Sequence, residues 1–429
     1  MRIYMSLLVA GYCLLLASAA LAIQLPFGLT PTTDSDNLVS SPLSGQYPSG
    51  FTLRQVFHHG TDEFPKLHRR LDVPAEFHIA SAGDEESTAF ELSSVDRQAT
   101  RMAKRDCDSV ESYLEKVRTR EIVGVQDFDW VHEIIPTPNI TDRDTLVTLA
   151  KMTADAYVGL PDNANWLDVG VPYNRSSDFG WDAAGIRGHV FADEKNKTVV
   201  IAIKGTSAAL FDSDGETAPS DKINDNLLFS CCCSRVSYMW KTVCDCYDST
   251  YTCKQDCVED ALYEEDKYYR AVLDIYRNTT SIYPDATIWL TGHSLGGAMA
   301  SLLGRTYAAP TVTFEAPPEK LAAKRLHLPF PPIPEEETMI WHIGNTADPI
   351  YMGVCNGPSS ICWMGGYAME TQCHSALECV YDTVNDKNWR VSSTNHRIRN
   401  VVEMIASYNS TPTCVANTEC QDCFDWSYI

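Results

Sequence analysis

The stretch TIWLTGHSLGGAMASLLG, residues 287–304, gives the strongest indication of the fold in this sequence. An apolar strand leads into Ser294, glycines surround the serine, and small residues typical of a packed helix follow. This order predicts a nucleophile elbow, a tight strand-to-helix turn that holds a serine hydroxyl above a sheet. Gly292 and Gly296 flank the serine because a Cβ there would meet the neighbouring turn. The alternative is an ordinary glycine-rich turn that contains a serine by chance.

The length and charge of the chain limit the classes of function. Its 429 residues can bury a large core. The formal net charge of −23 at pH 7 excludes nucleic acid as an expected partner, because phosphate binding needs clustered Lys and Arg. The same charge opposes docking on an anionic membrane at neutral pH.

An uncharged run, IYMSLLVAGYCLLLASAALAI, occupies residues 3–23. It is near the lower length for a membrane span and long for the apolar core of a signal peptide. We therefore expect residues 1–24 to form a signal-anchor of a single-pass type II membrane protein. Cleavage within ASAALA is the alternative. In either case the rest of the chain crosses a membrane.

Cysteines and glycosylation sequons indicate an oxidising lumen. Of sixteen cysteines, fifteen follow the apolar run, and this odd number predicts a free thiol or an intermolecular bond. We expect disulfides to brace residues 231–257 and the loop 355–379. Metal binding is the alternative, but zinc-ligand spacing is not met, so we expect no metal. Sequons lie at Asn139, Asn174, Asn196, Asn278 and Asn409.

Residues 25–106 are rich in Pro, Ser, Asp and Gly, which predicts a flexible lumenal stalk. Its later part, from FTLRQVFHHG to FHIAS, is compatible with edge strands. The four histidines of this part resemble a metal cluster, but we expect solvated surface side chains; they are His58, His59, His68 and His78.

Strands and helices alternate through residues 107–406, and a cysteine-containing tail, 407–429, follows. The segment RGHVFADEKNKTVVIAIKGT predicts a hairpin, TVTFEA and MIWHIG predict further strands, and RIRNVVEMIA predicts a late helix. This alternation predicts the α/β class, with a mainly parallel sheet, helices on both faces and disulfide-rich insertions. We find no internal repeat and no second compact domain.

A nucleophilic serine requires a base and a carboxylate that orients the base. In MIWHIGNTADPI, Asp348 follows a strong strand, although an Asp-Pro turn is the plain alternative. Asp382 and Asp386 are rivals that follow no equally strong strand. We therefore predict Asp348 as the acid.

Two histidines lie downstream of that acid. His374 stands between two cysteines that we expect to be bridged, whereas His396 lies at a loop-to-helix junction late in the chain. His342 lies inside a strand and is expected in the core. We predict a triad of Ser294, Asp348 and His396, in which the backbone N–H of Leu295 faces a developing oxyanion.

Five segments in this order resemble the class 3 lipases, which have an α/β-hydrolase fold: VVIAIKGT, IWLTGHSLGGAMASLLG, TVTFEAP, NTADPI and NHRIRNVV. TFEAPPEKLAAKRLHLP, CNGPSSICWMGGYAMETQCH and YDTVNDKNW are similar to the fungal autophagy-related vacuolar lipases that break down autophagic bodies. The similarity covers about residues 106–406. It implies an N-terminal membrane anchor, a lumenal catalytic domain, and delivery through endosomes and multivesicular bodies to a vacuole.

The resemblance also implies a second oxyanion donor, Thr206, whose alternative is a turn residue at a strand end. Related lipases have Arg where this chain has Lys204, which changes how the loop is braced. Residues 207–225 occupy the position of a lid. The implied substrates are membrane phospholipids, with phosphatidylserine a candidate, and neutral glycerolipids, without a cofactor. The alternatives are a soluble-ester esterase, a serine peptidase and a non-catalytic membrane tether.

Overall fold

The computed structural model describes residues 50–59, 68–73, 90–121, 128–157, 167–168, 185–207, 218–331 and 333–429. The predicted signal-anchor, His78 and the sequon at Asn174 lie outside these residues. Within the described part of the chain, no helix is both long and apolar enough to span a bilayer.

The described residues form fifteen strands and ten α-helices. The strands are β1 (Phe51–His59), β2 (His68–Asp72), β3 (Ser94–Met102), β4 (Trp130–Pro138), β5 (Leu167–Asp168), β6 (Ile186–Asp193), β7 (Thr198–Ile203), β8 (Tyr247–Ser249), β9 (Thr252–Cys253), β10 (Thr287–His293), β11 (Thr311–Phe314), β12 (Ile340–Asn345), β13 (Leu377–Tyr381), β14 (Cys414–Ala416) and β15 (Ser427–Tyr428). The helices are α1 (Cys107–Arg118), α2 (Arg143–Asp155), α3 (Ala218–Phe229), α4 (Gln255–Leu262), α5 (Tyr268–Ile282), α6 (Leu295–Tyr307), α7 (Lys320–Arg325), α8 (Ile361–Gly365), α9 (Thr383–Lys387) and α10 (Ile398–Ala406). Short 3-10 helices lie at Glu335–Glu337 and Ser393–His396.

Ten strands form one sheet in the order β14-β13-β12-β11-β10-β7-β6-β1-β2-β5. The five central strands, β13 to β7 in this order, are parallel to one another. Antiparallel strands extend the sheet at both sides, β14 beyond β13 and β6, β1, β2 and β5 beyond β7. The predicted α/β class with a parallel sheet is confirmed at this centre.

Side chains of the central strands alternate between two apolar cores, one on each face of the sheet. In β7, Ile201 joins the core that contains α5 and α6, whereas Val200 joins the core that contains α2 and α10. This period of two is what a strand requires when both of its faces are covered. Helices therefore cover both faces, as the sequence predicts.

Within the predicted stalk, residues 25–106, the later part forms strands as expected, but β1 and β2 are not edge strands, since each is paired on both sides. β1 pairs with both β2 and β6, and β3 forms a two-stranded ribbon with β4. Phe51, Val56 and Phe57 are buried, so β1 contributes apolar surface to the core.

The expectation of solvated histidines is wrong for the three that are described. His58, His59 and His68 are 5%, 3% and 2% exposed. His59 and His68 lie side by side under α5, whose Asp274 Oδ2 is 2.8 Å from His59 Nε2, so this helix covers them.

Disulfides fasten the insertion at residues 231–257, as predicted. Three bonds lie within it, Cys232–Cys253, Cys233–Cys244 and Cys246–Cys257. The C-terminal tail is also bonded to the domain, through Cys231–Cys423, Cys373–Cys420 and Cys379–Cys414. A seventh bond, Cys355–Cys362, closes a short loop. Cys107 is the free cysteine among the described residues, in agreement with the odd count.

The expected bond between the two cysteines that flank His374 is wrong. Cys373 and Cys379 bond Cys420 and Cys414 instead. The physical reason is the pairing of β13 with β14, which places Cys414 directly opposite Cys379.

Candidate active site

Ser294 lies on a strained turn between β10 and α6. Its backbone angles are φ 55° and ψ −133°, a conformation that is rare for a residue with a side chain. A Cβ on Gly292 would collide with the backbone of Gly296, and one on Gly296 would collide with the carbonyl groups of Ile203 and Lys204. The turn therefore packs backbone against backbone, which is the geometry of a nucleophile elbow.

The structure brings the three predicted triad residues together. His396 Nε2 lies 2.8 Å from Ser294 Oγ, and His396 Nδ1 lies 2.6 Å from Asp348 Oδ2. The carboxylate accepts the Nδ1 proton, so Nε2 is left to accept the serine proton. All three side chains are buried, which strengthens these contacts relative to water.

A second buried carboxyl group, Glu315, lies against Asp348. It follows β11 with φ +46°, hydrogen bonds to Asp348, and accepts from Asn345 Nδ2 at 2.7 Å. Burial and the Asp348 charge raise the pKa of Glu315 well above its usual value. Burial acts on Asp348 in the same direction, but His396 and the hydrogen bond from Glu315 hold the Asp348 pKa below its usual value. Glu315 is therefore the protonated donor of the pair, and Asp348 is ionised.

A chain of hydrogen bonds joins the end of β7 to His396. The N–H of Gly205 donates to the Tyr157 hydroxyl at 3.1 Å, and that hydroxyl donates to His293 Nδ1 at 2.6 Å. His293 Nε2–H in turn donates to the carbonyl oxygen of His396 at 2.6 Å. Burial, with the charge of His396 in the same direction, lowers the pKa of His293 to about 3, so its ring stays neutral.

The loop after β7 lies beside the serine, where an oxyanion donor is expected. A Cβ added to Gly205 would lie 2.9 Å from the Ser294 Cβ. The next residue, Thr206, is buried and its hydroxyl donates to Asp225 Oδ2 at 2.7 Å, in α3. Burial raises the pKa of Asp225 well above its usual value.

Lys204, the departure from related lipases, braces this loop from within. It is buried, and its Nζ donates to the Gly205 carbonyl at 2.9 Å and lies 3.8 Å from Asp221 Oδ2. Burial lowers the Lys204 pKa to about 8, against the Asp221 charge, which raises it. Of the predicted lid, residues 208–217 lie outside the described residues, and 218–225 form the start of α3.

Leu295, the other predicted oxyanion donor, is the first residue of α6 and is buried. Its N–H belongs to the first turn of the helix, where backbone donors have no partner within the helix. The partial positive charge of this helix end favours an oxyanion beside Ser294.

The rival residues have other partners. Asp382 accepts from Asn385 N at 3.2 Å and caps α9, and Asp386 is exposed on the same helix. His374 Nε2 donates to the Ala316 carbonyl at 3.0 Å, and His342 is buried in β12 as expected.

The sequence analysis missed Tyr157, His293, Glu315 and Asp225. Tyr157 follows α2 and has the character of an apolar helix position, so its sequence gives no polar signal. His293 ends β10 within the motif GHSLGG, and Glu315 directly follows β11 within TFEAP. For Glu315, a charged residue next to a buried strand was the available signal.

Four of the five predicted glycosylation sequons are described. Asn196 lies in the exposed turn between β6 and β7, and Asn409 is exposed after α10. Asn139 and Asn278 are half-buried. Glycosylation at all five positions stays a prediction.

Comparison with known proteins agrees with this geometry. A model of the lipase (class 3) family matches residues 231–318, which include the elbow. The putative lipase ATG15 of Yarrowia lipolytica is 50% identical over 412 residues, covering 90% of this chain and 74% of that protein. The putative lipase ATG15 of Pichia angusta is 50% identical over 402 residues, covering 89% and 75%.

The elbow, the sheet and these matches define a carboxylic ester hydrolase of the α/β type. The chain belongs to the ATG15 family of putative fungal lipases.

Similarity to solved structures is weaker. The Lip2 lipase of Yarrowia lipolytica is 21% identical, covering 46% of this chain and 61% of that chain with a TM-score of 0.25. The Rhizomucor miehei lipase–propeptide complex is 16% identical, covering 57% and 61%, also with a TM-score of 0.25. Scores of this size carry no argument about the site.

Proposed function

We propose that this chain is a serine lipase and phospholipase that hydrolyses acyl esters of membrane glycerolipids through Ser294, His396 and Asp348. The observation that carries the proposal is the pair of contacts that His396 makes, 2.8 Å to Ser294 and 2.6 Å to Asp348. These distances suit proton transfer from the serine hydroxyl to Nε2.

In the proposed mechanism, His396 takes the proton as Ser294 Oγ attacks the ester carbonyl carbon. The tetrahedral intermediate places its negative oxygen near the N–H groups of Leu295 and Thr206, and its collapse expels the alcohol with the proton from His396. Water, deprotonated by His396, then attacks the acyl-enzyme and releases the fatty acid. Asp348 holds the imidazole in one tautomer and stabilises its charged form.

Exposed apolar side chains support a membrane as the source of substrate. Met352 and Val354 follow Asp348 closely, and α8, with exposed Met364, comes next along the chain. The rings of Trp240 and Trp363 lie 5.4 Å apart, so the cysteine-rich insertion, with exposed Tyr238 and Met239, adjoins α8. Clustered exposed apolar groups of this kind mark interaction surfaces.

We further propose that the enzyme acts in a vacuole-like lumen on intravacuolar vesicle and autophagic-body membranes, with phosphatidylserine among its substrates. Seven disulfides support an oxidising secretory route, and the names of the relatives support a role in autophagy. In this proposal residues 1–24 are an uncleaved signal-anchor of a type II protein. N-terminal sequencing of the mature chain tests that point, because a start near Ile23 would mean a cleaved signal peptide.

The decisive experiment compares hydrolysis by the purified full chain on four substrates: phosphatidylserine-containing vesicles, a neutral glycerolipid emulsion, a short soluble ester and a peptide. We expect turnover of the lipids. Turnover of the soluble ester alone would support the esterase. Turnover of the peptide would support a peptidase, and a protein that turns over none of the four substrates would support the membrane tether.

Substitutions within the site test the roles. Ser294→Ala should abolish turnover with the fold intact, and His396→Ala and Asp348→Ala should each cost on the order of 10³–10⁶-fold, non-additively. Asp382→Ala is the matched control and should stay near the unsubstituted rate. A greater loss in Asp382→Ala than in Asp348→Ala would relocate the acid.

A further inference from the structure

Outside the triad, two buried histidines and an aspartate meet where β1 and β2 contact α5. His59 and His68 are directly opposed in the antiparallel β1–β2 pair, with ring centroids 4.9 Å apart. Asp274 of α5 lies over them, and its Oδ2 is 2.8 Å from His59 Nε2. One ligand atom from each of the three residues lies within 4.8 Å of the other two.

His68 is the unusual member of this cluster. It is 2% exposed, and within the described part of the chain neither ring nitrogen has a hydrogen-bond partner. A buried polar atom without a partner loses its hydrogen bonds to water and gains none in return, so such a side chain requires an explanation. Packing against Phe57, at 5.4 Å between ring centroids, accounts for the ring but not for its nitrogens.

The donor set fits one class of ligand. Two imidazole nitrogens and one carboxylate oxygen are typical ligands of Zn²⁺, which in open sites takes three protein ligands and a water in the fourth position. The ligand atoms already lie close together, within 4.8 Å of one another, and both nitrogens of the His68 ring are free to take an ion within the described part of the chain. Asp274 is partly exposed, which leaves a path for the ion.

Two cations near the cluster are engaged by other carboxylates. The charge of Arg70 repels a protonated His68, and Arg70 Nε lies 3.0 Å from Asp72 Oδ1. The charge of Arg270 attracts Asp274, and Arg270 Nη1 lies 2.6 Å from Glu111 Oε1. Their charge is therefore partly compensated before a divalent ion arrives.

We propose that His59, His68 and Asp274 form a zinc-binding site that fastens the β1–β2 pair to α5. This departs from the expectation that the chain binds no metal. The site joins the N-terminal strands to α5, a helix of the main core, and none of its three residues belongs to the triad. Because the three ligands come from separate segments, bound zinc stabilises the folded state over the unfolded one.

The experiment measures zinc content and Zn²⁺ affinity of the purified full chain in a Cys107→Ser background, which removes the free thiol. We expect one zinc ion per chain and a melting temperature that falls with a chelator and recovers with Zn²⁺. His68→Phe keeps the aromatic packing but removes both nitrogens, and should weaken Zn²⁺ binding by roughly 100-fold.

His189→Phe is the matched control. His189 is also buried and both of its ring nitrogens lack partners within the described residues, but it lies outside the cluster in β6. It should bind zinc as the parent does. Asp274→Asn, which alters a partly exposed residue, provides a second ligand variant if His68→Phe fails to fold.

Two outcomes would overturn the proposal. One is a parent chain that binds no zinc and whose melting temperature responds to neither Zn²⁺ nor chelator; His59 and Asp274 are then a hydrogen-bonded pair without an ion. The other is parent-like zinc binding by both ligand variants, which would place the ion elsewhere.

Discussion

Glu315 illustrates how much a single buried proton can matter in this site. The group is fully buried beside the ionised Asp348, and Asn345 holds its other oxygen. A second negative charge at this point would repel Asp348 and compete for the proton on His396 Nδ1. Keeping Glu315 protonated therefore preserves the contact between Asp348 and His396.

We predict that Glu315→Gln flattens the decline of stability with rising pH. The raised Glu315 pKa means that the folded state keeps a proton that the unfolded state releases above pH 4.5. The contribution of this proton to the free energy of unfolding is therefore complete below pH 4.5, and it is lost as the pH rises towards the folded-state pKa of Glu315. Glutamine can donate to Asp348 without titrating.

The measurement is the free energy of unfolding by denaturant from pH 5 to 7. The parent should lose up to about 1.4 kcal/mol per pH unit more than Glu315→Gln. The Asp348 pKa is lowered, so its own contribution changes below this window. Glu403→Gln, on the exposed side of α10, is the control, and equal slopes in all three proteins would refute the prediction.

Tyr157→Phe tests the hydrogen-bond chain between the loop after β7 and His396. The variant leaves the Gly205 N–H and His293 Nδ1 without their shared partner. We expect kcat to fall roughly 10- to 100-fold with KM little changed, because a misplaced oxyanion loop weakens transition-state binding more than substrate binding. A rise in KM with unchanged kcat would contradict this role.

At the scale of elements, the elbow depends on how closely β7, β10 and α6 approach. Gly296 at the start of α6 faces the last carbonyl groups of β7, where no Cβ fits. A helix of small residues follows, and its close packing against β10 and β11 sets the position of Ser294.

Gly296→Ala should therefore destabilise the fold by about 3 kcal/mol or more and abolish hydrolysis, because backbone cannot yield as a side chain would. Gly188→Ala in β6 is the control. There the nearest atom to an added Cβ would be Ile275 Cδ1 at 3.4 Å, an ordinary contact, so stability should change little. Chemical denaturation of both variants checks the difference, and similar losses would refute the packing argument.

At the scale of the whole molecule, the net charge of −23 acts on the approach to a membrane. An anionic bilayer repels the chain at neutral pH, and salt screens this repulsion. Acidification protonates carboxylates with raised pKa values, such as Glu370 and Asp422, so binding should improve as pH falls. The imidazole of His396 must nevertheless be neutral to accept the serine proton, which opposes the trend.

We therefore expect a mildly acidic optimum on anionic vesicles and a higher optimum on a neutral soluble ester, for which only the catalytic requirement remains. Rates on both substrates from pH 4 to 9, at low and high salt, provide the measurement. Superimposable profiles would show that membrane charge plays no part.

Local sequence was enough to predict the centre of the fold. The strand-to-helix pattern around Ser294 has a strict steric requirement for glycine, and the alternation of apolar strands with helices allows few topologies. Similar signals predicted the other two residues, since Asp348 follows a strong strand and His396 directly precedes a helix. In the structure His396 lies within hydrogen-bond distance of both Asp348 and Ser294.

Only the tertiary structure decided which distant segments share a surface. β1 and β2 look like part of a polar stalk because their burial comes from β6 and α5, more than a hundred residues away along the chain. The disulfide partners of Cys373 and Cys379 likewise follow from the pairing of β13 with β14. The protonated state of Glu315 depends on a carboxylate 33 positions later. Local propensity carries no information about such contacts, because their energies exist only after the chain has folded.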